Sequence, residues 1–332
     1  MQNNLPLLTI VVPCYNEEAT LEETIKELTR IMTNLVINKS ISNESIILFV
    51  NDGSTDHTWD IIEENIEINQ YVQGLKLSRN FGHQRALIAG LETARNFSDC
   101  VISVDADLQD DVEIIHQFIE KYQEGYEIVY GVRDKRDTDT LFKRKTALWF
   151  YSLMRKMGVE LVPNHADYRL MSKRALDELV KYQEVNLFLR GIIPLLGFKT
   201  TKVYYNRKER FAGESKYPLK KMIAFAFDGM TSFSVAPIRF VSMLGFLMVL
   251  IGIAIAVYTL LAKIFSYTIS GWTSLMLSIW IVGGAQLLAV GIIGEYIGKI
   301  FNETKGRPRY TIEQNSVLEK QKKNLSYLKR DK

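Results

Sequence analysis

Cysteine and histidine are scarce in this sequence. Cys14 and Cys100 are the only cysteines. Two thiols cannot build a disulfide framework; they suit a reducing compartment and read as small buried side chains. His57, His83, His116 and His165 show no zinc-ligand spacing with either cysteine, which excludes a zinc module. His83 and His165 read as polar groups near a site, the others as surface residues. A strong charge of one sign is also lacking. Lys and Arg number 41 against 38 Asp and Glu, a formal net charge of +3, too small to imply a nucleic-acid partner. Internal repeats and low-complexity tracts are absent. With 47% hydrophobic and 24% charged residues, the 332-residue chain is too apolar for disorder and too varied for a fibrous class.

A mean hydropathy of −0.03 conceals two stretches without any charge, 240–261 and 272–294. Each reaches the roughly 20 apolar residues that a transmembrane helix needs. The short link between them, near Lys263 to Gly271, makes them a hairpin. Basic residues gather outside it: Lys220, Lys221 and Arg239 before, Lys299, Lys305, Arg307 and Arg309 after. The positive-inside rule then puts both termini in the cytoplasm and the protein in the cytoplasmic (inner) membrane. Met1 to Asn4 run straight into a strand-like segment, so no signal peptide is expected. Lys143–Met157 and Pro218–Val235 mix basic residues with Trp, Phe, Tyr and Met, as helices lying on a membrane surface do. The resulting division is a catalytic domain over 1–217, a juxtamembrane amphipathic helix over 218–238, two spans within 239–298, and a solvated basic tail over 299–332.

The first 200 or so residues alternate between two patterns. Short apolar or β-branched runs occur at Leu7–Val12, Ser45–Val50, Gly74–Leu77, Cys100–Val104 and Glu127–Tyr130. Amphipathic stretches of helical length lie between them, at Ala19–Val36, Thr58–Glu67, Gln84–Asn96 and Asp111–Glu124. Strand–helix alternation predicts an α/β fold, a mostly parallel sheet covered on both faces. Such sheets bind ligands at the carboxyl ends of their strands.

One buried run ends in Asp105-Ala106-Asp107, followed by Gln109, Asp110 and Asp111. Residues i and i+2 of extended chain face the same side, about 6–7 Å apart, so the two carboxylates can share a divalent cation. Oxygen ligands favour Mg²⁺ or Mn²⁺, which also bind phosphates. Asp110 and Asp111 read as caps that start a helix at Val112. The first run ends Pro13-Cys14-Tyr15-Asn16-Glu17-Glu18. The second ends Asn51-Asp52-Gly53-Ser54-Thr55-Asp56, where Asp52 can accept hydrogen bonds from a base or ribose. The third ends Ser78-Arg79-Asn80-Phe81-Gly82-His83-Gln84-Arg85, which offers donors and a cation.

The ordered set PCYNEE, NDGSTD, SRNFGHQRA, DADLQD, HADYRLM and RFAGESKY resembles family-2 glycosyltransferases of the GT-A fold, a Rossmann-like architecture. More narrowly it is similar to polyprenyl-phosphate glycosyltransferases, the dolichol-phosphate mannose synthases and bacterial bactoprenol glucosyltransferases. The likeness runs from about Leu7 to about Arg309. It implies that Pro13, Tyr15, Glu17, Asp52 and Arg85 hold the nucleotide, and that Asp105 and Asp107 bind metal and diphosphate with Gln109 as a further metal contact. Asp167 falls near acceptor and sugar. Arg207 or Arg210, with Ser215 and Lys216, falls on a loop over the donor phosphates, and Arg133 and Arg144 fall near the acceptor phosphate. A nucleotide-sugar donor, a polyprenyl-phosphate acceptor, membrane lipids, a homo-oligomer such as a tetramer and a flippase partner are the implied associates.

Transfer from a nucleotide sugar leaves negative charge on the departing diphosphate, which a divalent cation with Arg and Lys donors offsets. A lipid monophosphate, with a second pKa of about 6, is a dianionic nucleophile that needs little help from a base. Asp167 therefore serves either as a base or as an orienting group. Inversion at the anomeric carbon is a family expectation. Two other classes compete. Processive polysaccharide synthases carry a Gln-x-x-Arg-Trp motif, and this chain has no Arg-Trp pair. A non-enzymatic scaffold would not need Asp105, Asp107, Gln109 and Asp167 intact.

Overall fold

A computed structural model describes residues 5–134, 165–185, 188–206, 236–264 and 271–320. The chain divides into two compact units. Of the described residues, one unit joins those within 5–206 with the C-terminal 307–320; the other holds 236–264 and 271–306.

The first unit is an eight-stranded sheet in the order β7-β5-β6-β4-β1-β2-β3-β8. The five predicted strands are β1 (Leu8–Cys14), β2 (Ile46–Asn51), β3 (Val72–Leu77), β4 (Cys100–Ser103) and β5 (Ile128–Arg133). β1 is buried along its whole length, as expected for a strand covered on both faces. It pairs in parallel with β2 and β4, and β2 pairs in parallel with β3. Strand order therefore reverses between β1 and β4, which opens a crevice beyond their carboxyl ends.

The four predicted helices also form. In α1 (Leu21–Ile37), Leu21, Ile25, Leu28, Met32 and Leu35 recur at helical spacing and are buried, with Glu22 and Glu23 in the first turn, where the helix dipole favours negative charge. α2 spans Thr58–Ile68 and α3 spans His83–Ala94. A Cβ added to Gly90 of α3 would come within 2.4 Å of Val11 and 2.8 Å of Val50, so α3 lies directly on β1 and β2. A 3₁₀ turn at Val112–Ile114 leads into α4 (Ile115–Gln123). Asp111 caps that turn with its side chain; Asp110 does not, as described below.

Three strands lie beyond the predicted set. β6 (His165–Ser172) runs antiparallel between β4 and β5, and leads into α5 (Lys173–Leu179). α6 (Leu189–Leu195) precedes β7 (Thr200–Tyr205), which pairs in parallel with β5. β8 (Ile312–Asn315) runs antiparallel to β3. This corrects, for part of its length, the reading of 299–332 as a solvated tail. Residues 309–316 fold onto the sheet and α3: the Ser78 N–H donates to the Thr311 carbonyl at 3.0 Å, the Gly74 N–H to Ser316 Oγ at 2.8 Å, and Arg309 and Tyr310 both bind Glu92.

The second unit consists of α7 (Ala236–Ile264) and α8 (Trp272–Thr304), which touch each other. Within α8, Ile281–Thr304 is long and apolar enough to cross a membrane by length and composition, and it overlaps the expected 272–294. Phe246, Leu287 and Ile293 are exposed, the reverse of a soluble core helix. Lys143–Met157 and Pro218–Val235, expected at the interface, lie outside the described residues.

Candidate active site

The residues expected to hold the nucleotide and metal converge on the crevice at the carboxyl ends of β1 to β4. Pro13 is buried within β1, and Tyr15, just past it, is 44% exposed. The loops after β1 and β2 are laced together. Asn16, in a left-handed conformation (φ 54°), donates its N–H to Ser54 Oγ at 3.0 Å and accepts from the Thr55 N–H at 2.9 Å. The Glu17 N–H donates to Thr58 Oγ1 at 2.9 Å.

Asp52 is 2% exposed. Its two oxygens accept from the N–H groups of Phe81 (2.7 Å) and Gly82 (2.9 Å), so this carboxylate pins the turn that opens α3. Burial raises its pKa, and these two backbone donors oppose the rise. Gly53 makes that close approach feasible. Its φ is +63°, and an added Cβ would sit 2.3 Å from the Arg79 carbonyl carbon and 2.5 Å from the Asn80 nitrogen. Gly53→Ala should cost on the order of 2–4 kcal/mol, from left-handed strain plus forced movement of backbone. A melting curve checks this; an unchanged midpoint would mean that the two turns separate freely.

His83, the first residue of α3, lies between two carboxylates. Its Nε2 is 3.6 Å from Asp105 Oδ1 and 3.6 Å from Asp167 Oδ2. Burial opposes its charge, yet Asp167 and Asp105 carry its pKa up to about 9. Burial pushes Asp105 up to about 6; His83 opposes the rise, while Asp110, Asp167 and Asp107 add to it. Asp107 Oδ1 accepts the Gln109 N–H at 3.2 Å, and Leu108 between them is left-handed (φ 52°), a strain of about 1–3 kcal/mol of the kind found where a loop is held for function.

Asp167 lies near the start of β6, opposite the exit of β4. Arg169 binds its Oδ1, and Arg190 of α6 reaches Oδ1 through Nε (3.4 Å) and Oδ2 through Nη2 (3.3 Å). Burial works against its charge, but Arg190, Arg169 and His83 together hold its pKa well below the usual carboxylate range. Gln84 of α3 accepts the Leu189 N–H at 3.3 Å, which ties the first turns of α3 and α6 and brings His83 and Arg190 to one carboxylate. The sequence reading gave no role to Arg169 or Arg190. Arg169 follows Asp167 by two residues on a strand, so period-2 alternation puts both on one face; that signal was present. Nothing local links Arg190 to Asp167.

Beyond Gln109, Asp110 binds Arg133 and Tyr205. Arg133, at the end of β5, lies beside the acidic loop. Glu17, in the loop after β1, and Arg85, in the first turn of α3, are partly buried. Arg144, Arg207, Arg210, Ser215 and Lys216 lie outside the described residues.

The oxygen donors Asp105, Asp107 and Gln109 suit a hard divalent cation. Among the described residues no group of three or more His, Cys, Asp or Glu side chains could hold a metal ion. Mg²⁺ does not require one, since it binds through one or two carboxylates, waters and substrate phosphates. Burial, with Asp110, Asp167 and Asp107 adding to it, disfavours the charge of Asp105; a cation would offset both effects, so the residues present fit the ion.

The family model for glycosyl transferase family 2 matches residues 9–180, which run from the second residue of β1 past the end of β6 and include the acidic loop. An uncharacterized glycosyltransferase of Bacillus subtilis, YkoT, is 56% identical over 329 residues, covering 97% of this chain and 98% of that protein. A prophage bactoprenol glucosyl transferase homolog of Escherichia coli and the bactoprenol glucosyl transferase of Shigella phage SfX are each 38% identical over 310 residues, covering 92% of this chain and 98% of each relative. With more than half the chain matched by the family model and relatives aligned over nearly all of it, this protein belongs to glycosyl transferase family 2.

Proposed function

We propose that this glycosyltransferase moves a sugar, with inversion, from a nucleotide sugar of the UDP class to polyprenyl phosphate, giving a lipid-linked sugar for the cell envelope. The observation that carries the reading is the acidic crevice at the β1/β4 switch point, where Asp105 and Asp167 face one another across His83. The acceptor class is supported by the relatives from Escherichia coli and phage SfX, named as bactoprenol glucosyl transferases or their homologs, which align over 92% of this chain. The helices α7 and α8 are read as two spans, with the catalytic unit and both termini on the cytoplasmic side.

In this reading Asp105, Asp107 and Gln109 would hold Mg²⁺ or Mn²⁺, which would supply positive charge against the departing diphosphate. Pro13, Tyr15, Glu17 and Arg85 bind base and ribose, and Asp52 does so through the turn it pins. The acceptor phosphate, largely dianionic at neutral pH with a second pKa of about 6, attacks the anomeric carbon without losing a proton first. Asp167, held anionic by two arginines and a histidine, is a weak base; it orients the groups around it and balances their charge.

Full-length protein in detergent, given radiolabelled UDP-sugars, should produce organic-extractable label only when undecaprenyl phosphate is added. Label appearing instead on protein or on a growing glycan would overturn the acceptor assignment. Failure of every UDP-sugar beside success of a GDP-sugar would overturn the donor class.

A further inference from the structure

Asp110 has no role in the reading above, yet it is 3% exposed and sits next to the acidic loop's last proposed cation ligand. Its Oδ1 accepts from the Tyr205 hydroxyl at 2.5 Å and from Arg133 Nη2 at 3.2 Å. Arg133 Nε in turn donates to the Tyr205 oxygen at 3.4 Å. The triangle joins three elements: the loop after β4, the end of β5 and the end of β7, where Arg133 and Tyr205 are register partners.

The surroundings hold this triangle in place. The Tyr205 ring meets Tyr168 edge-on, with centroids 5.6 Å apart at 79°. The Tyr168 hydroxyl donates to the Asp111 carbonyl at 3.1 Å. Gly131 of β5 leaves room for both rings: an added Cβ would lie 3.1 Å from Tyr168 Cδ1 and 3.2 Å from Tyr205 Cε1. A buried carboxylate is a poor source of stability, since apolar residues of similar volume often do as well. Orientation is the better account of its presence. A guanidinium is a planar fork of N–H donors. Asp110 and Tyr205 fix it through Nε and Nη2. Nη1 bonds to no described residue, and the Arg133 side chain is 27% exposed. Held in that way, the outer edge is oriented in advance for bidentate contact with a phosphate.

We propose that Asp110, assisted by the Tyr205 hydroxyl, is a positioning residue that fixes the Arg133 guanidinium for the phosphate of the acceptor. The inference rests on the proposed function for the identity of that phosphate. It differs from a purely structural role for Asp110, and from a role as a further cation ligand, in which substrate should feel its loss.

The test uses the full-length protein with nucleotide sugar and undecaprenyl phosphate varied separately. Asp110→Asn should raise the acceptor KM about five- to tenfold, the size of one ordinary net hydrogen bond, with donor KM and kcat within about twofold of the parent. Tyr205→Phe, which removes one oxygen and keeps the ring, should shift the same constant in the same direction by less. Combining Asp110→Asn with Arg133→Gln should be no worse than Arg133→Gln alone, because one acts through the other. A parental acceptor KM in both single variants, a rise in donor KM instead, or additive losses would each overturn the proposal. If the parent makes no lipid-linked product, the acceptor reading fails by itself. Positioning is then read from titration of inorganic phosphate onto the UDP-loaded protein. Equal weakening by Asp110→Asn and Arg133→Gln supports it, and binding indifferent to either variant overturns it.

Discussion

Asp107→Asn should abolish transfer while leaving the protein folded and membrane-bound. The substitution is nearly isosteric. Asn retains a side-chain oxygen that can accept the Gln109 N–H, now held at 3.2 Å, so the turn around left-handed Leu108 survives. What disappears, under the proposed metal role, is one of two formal charges for a divalent cation. Oxyanion stabilisation of this kind accounts for about 10²–10³ in rate when one contact is lost, and loss of the cation itself costs more. Turnover of the nucleotide sugar should fall at least that far, with the melting midpoint within a few degrees of the parent. Chelation of divalent ions should reproduce the loss in the parent, and added Mn²⁺ should restore it there but not in the variant. Unchanged turnover in Asp107→Asn would sink the metal assignment.

The parts of the fold that could be read in advance are those whose signal is local. β1 to β5 announce themselves as apolar runs because both sheet faces are covered, and α1 shows a stripe at helical spacing that the core then buries. β6 reads HADYRLMS; its charged residues serve the crevice, so it looks like a loop motif and not like a strand. β7 is an edge strand with exposed positions, and β8 is a four-residue polar segment; both owe their structure to pairing with distant chain, which no window of sequence contains. The same division holds in the site. Asp105 and Asp107 are legible because they follow a buried strand. Asp110 resembles a helix cap until Arg133 and Tyr205, far away in sequence, are seen to claim it. Arg190 is silent until α6 is placed beside α3.

Asp167→Ala tests the other half of the crevice, and its effect should be double. Arg169 is 1% exposed, and its Nε and Nη1 have no hydrogen-bond partner among the described residues. Asp167 is its carboxylate partner. Breaking a buried pair from one side leaves an uncompensated charge and costs about 3–5 kcal/mol. The Asp167→Ala protein should therefore melt far below the parent, whereas Asp167→Asn, which keeps one acceptor for Arg169, should lose less. The pH dependence follows in sign. Asp167 has a folded-state pKa well below its ordinary value, so its contribution is fully present above the unfolded pKa of about 3.9. It is lost only as pH falls through the depressed folded value. Acid unfolding should thus separate parent from Asp167→Asn above about pH 4 and bring the two together in stronger acid. Activity should behave differently. If Asp167 orients and does not remove a proton, Asp167→Asn should retain measurable turnover with the pH–rate profile unchanged in shape, about 10²-fold below the parent. A profile that loses one limb in Asp167→Asn would make it the base after all, and would require an acceptor that arrives protonated.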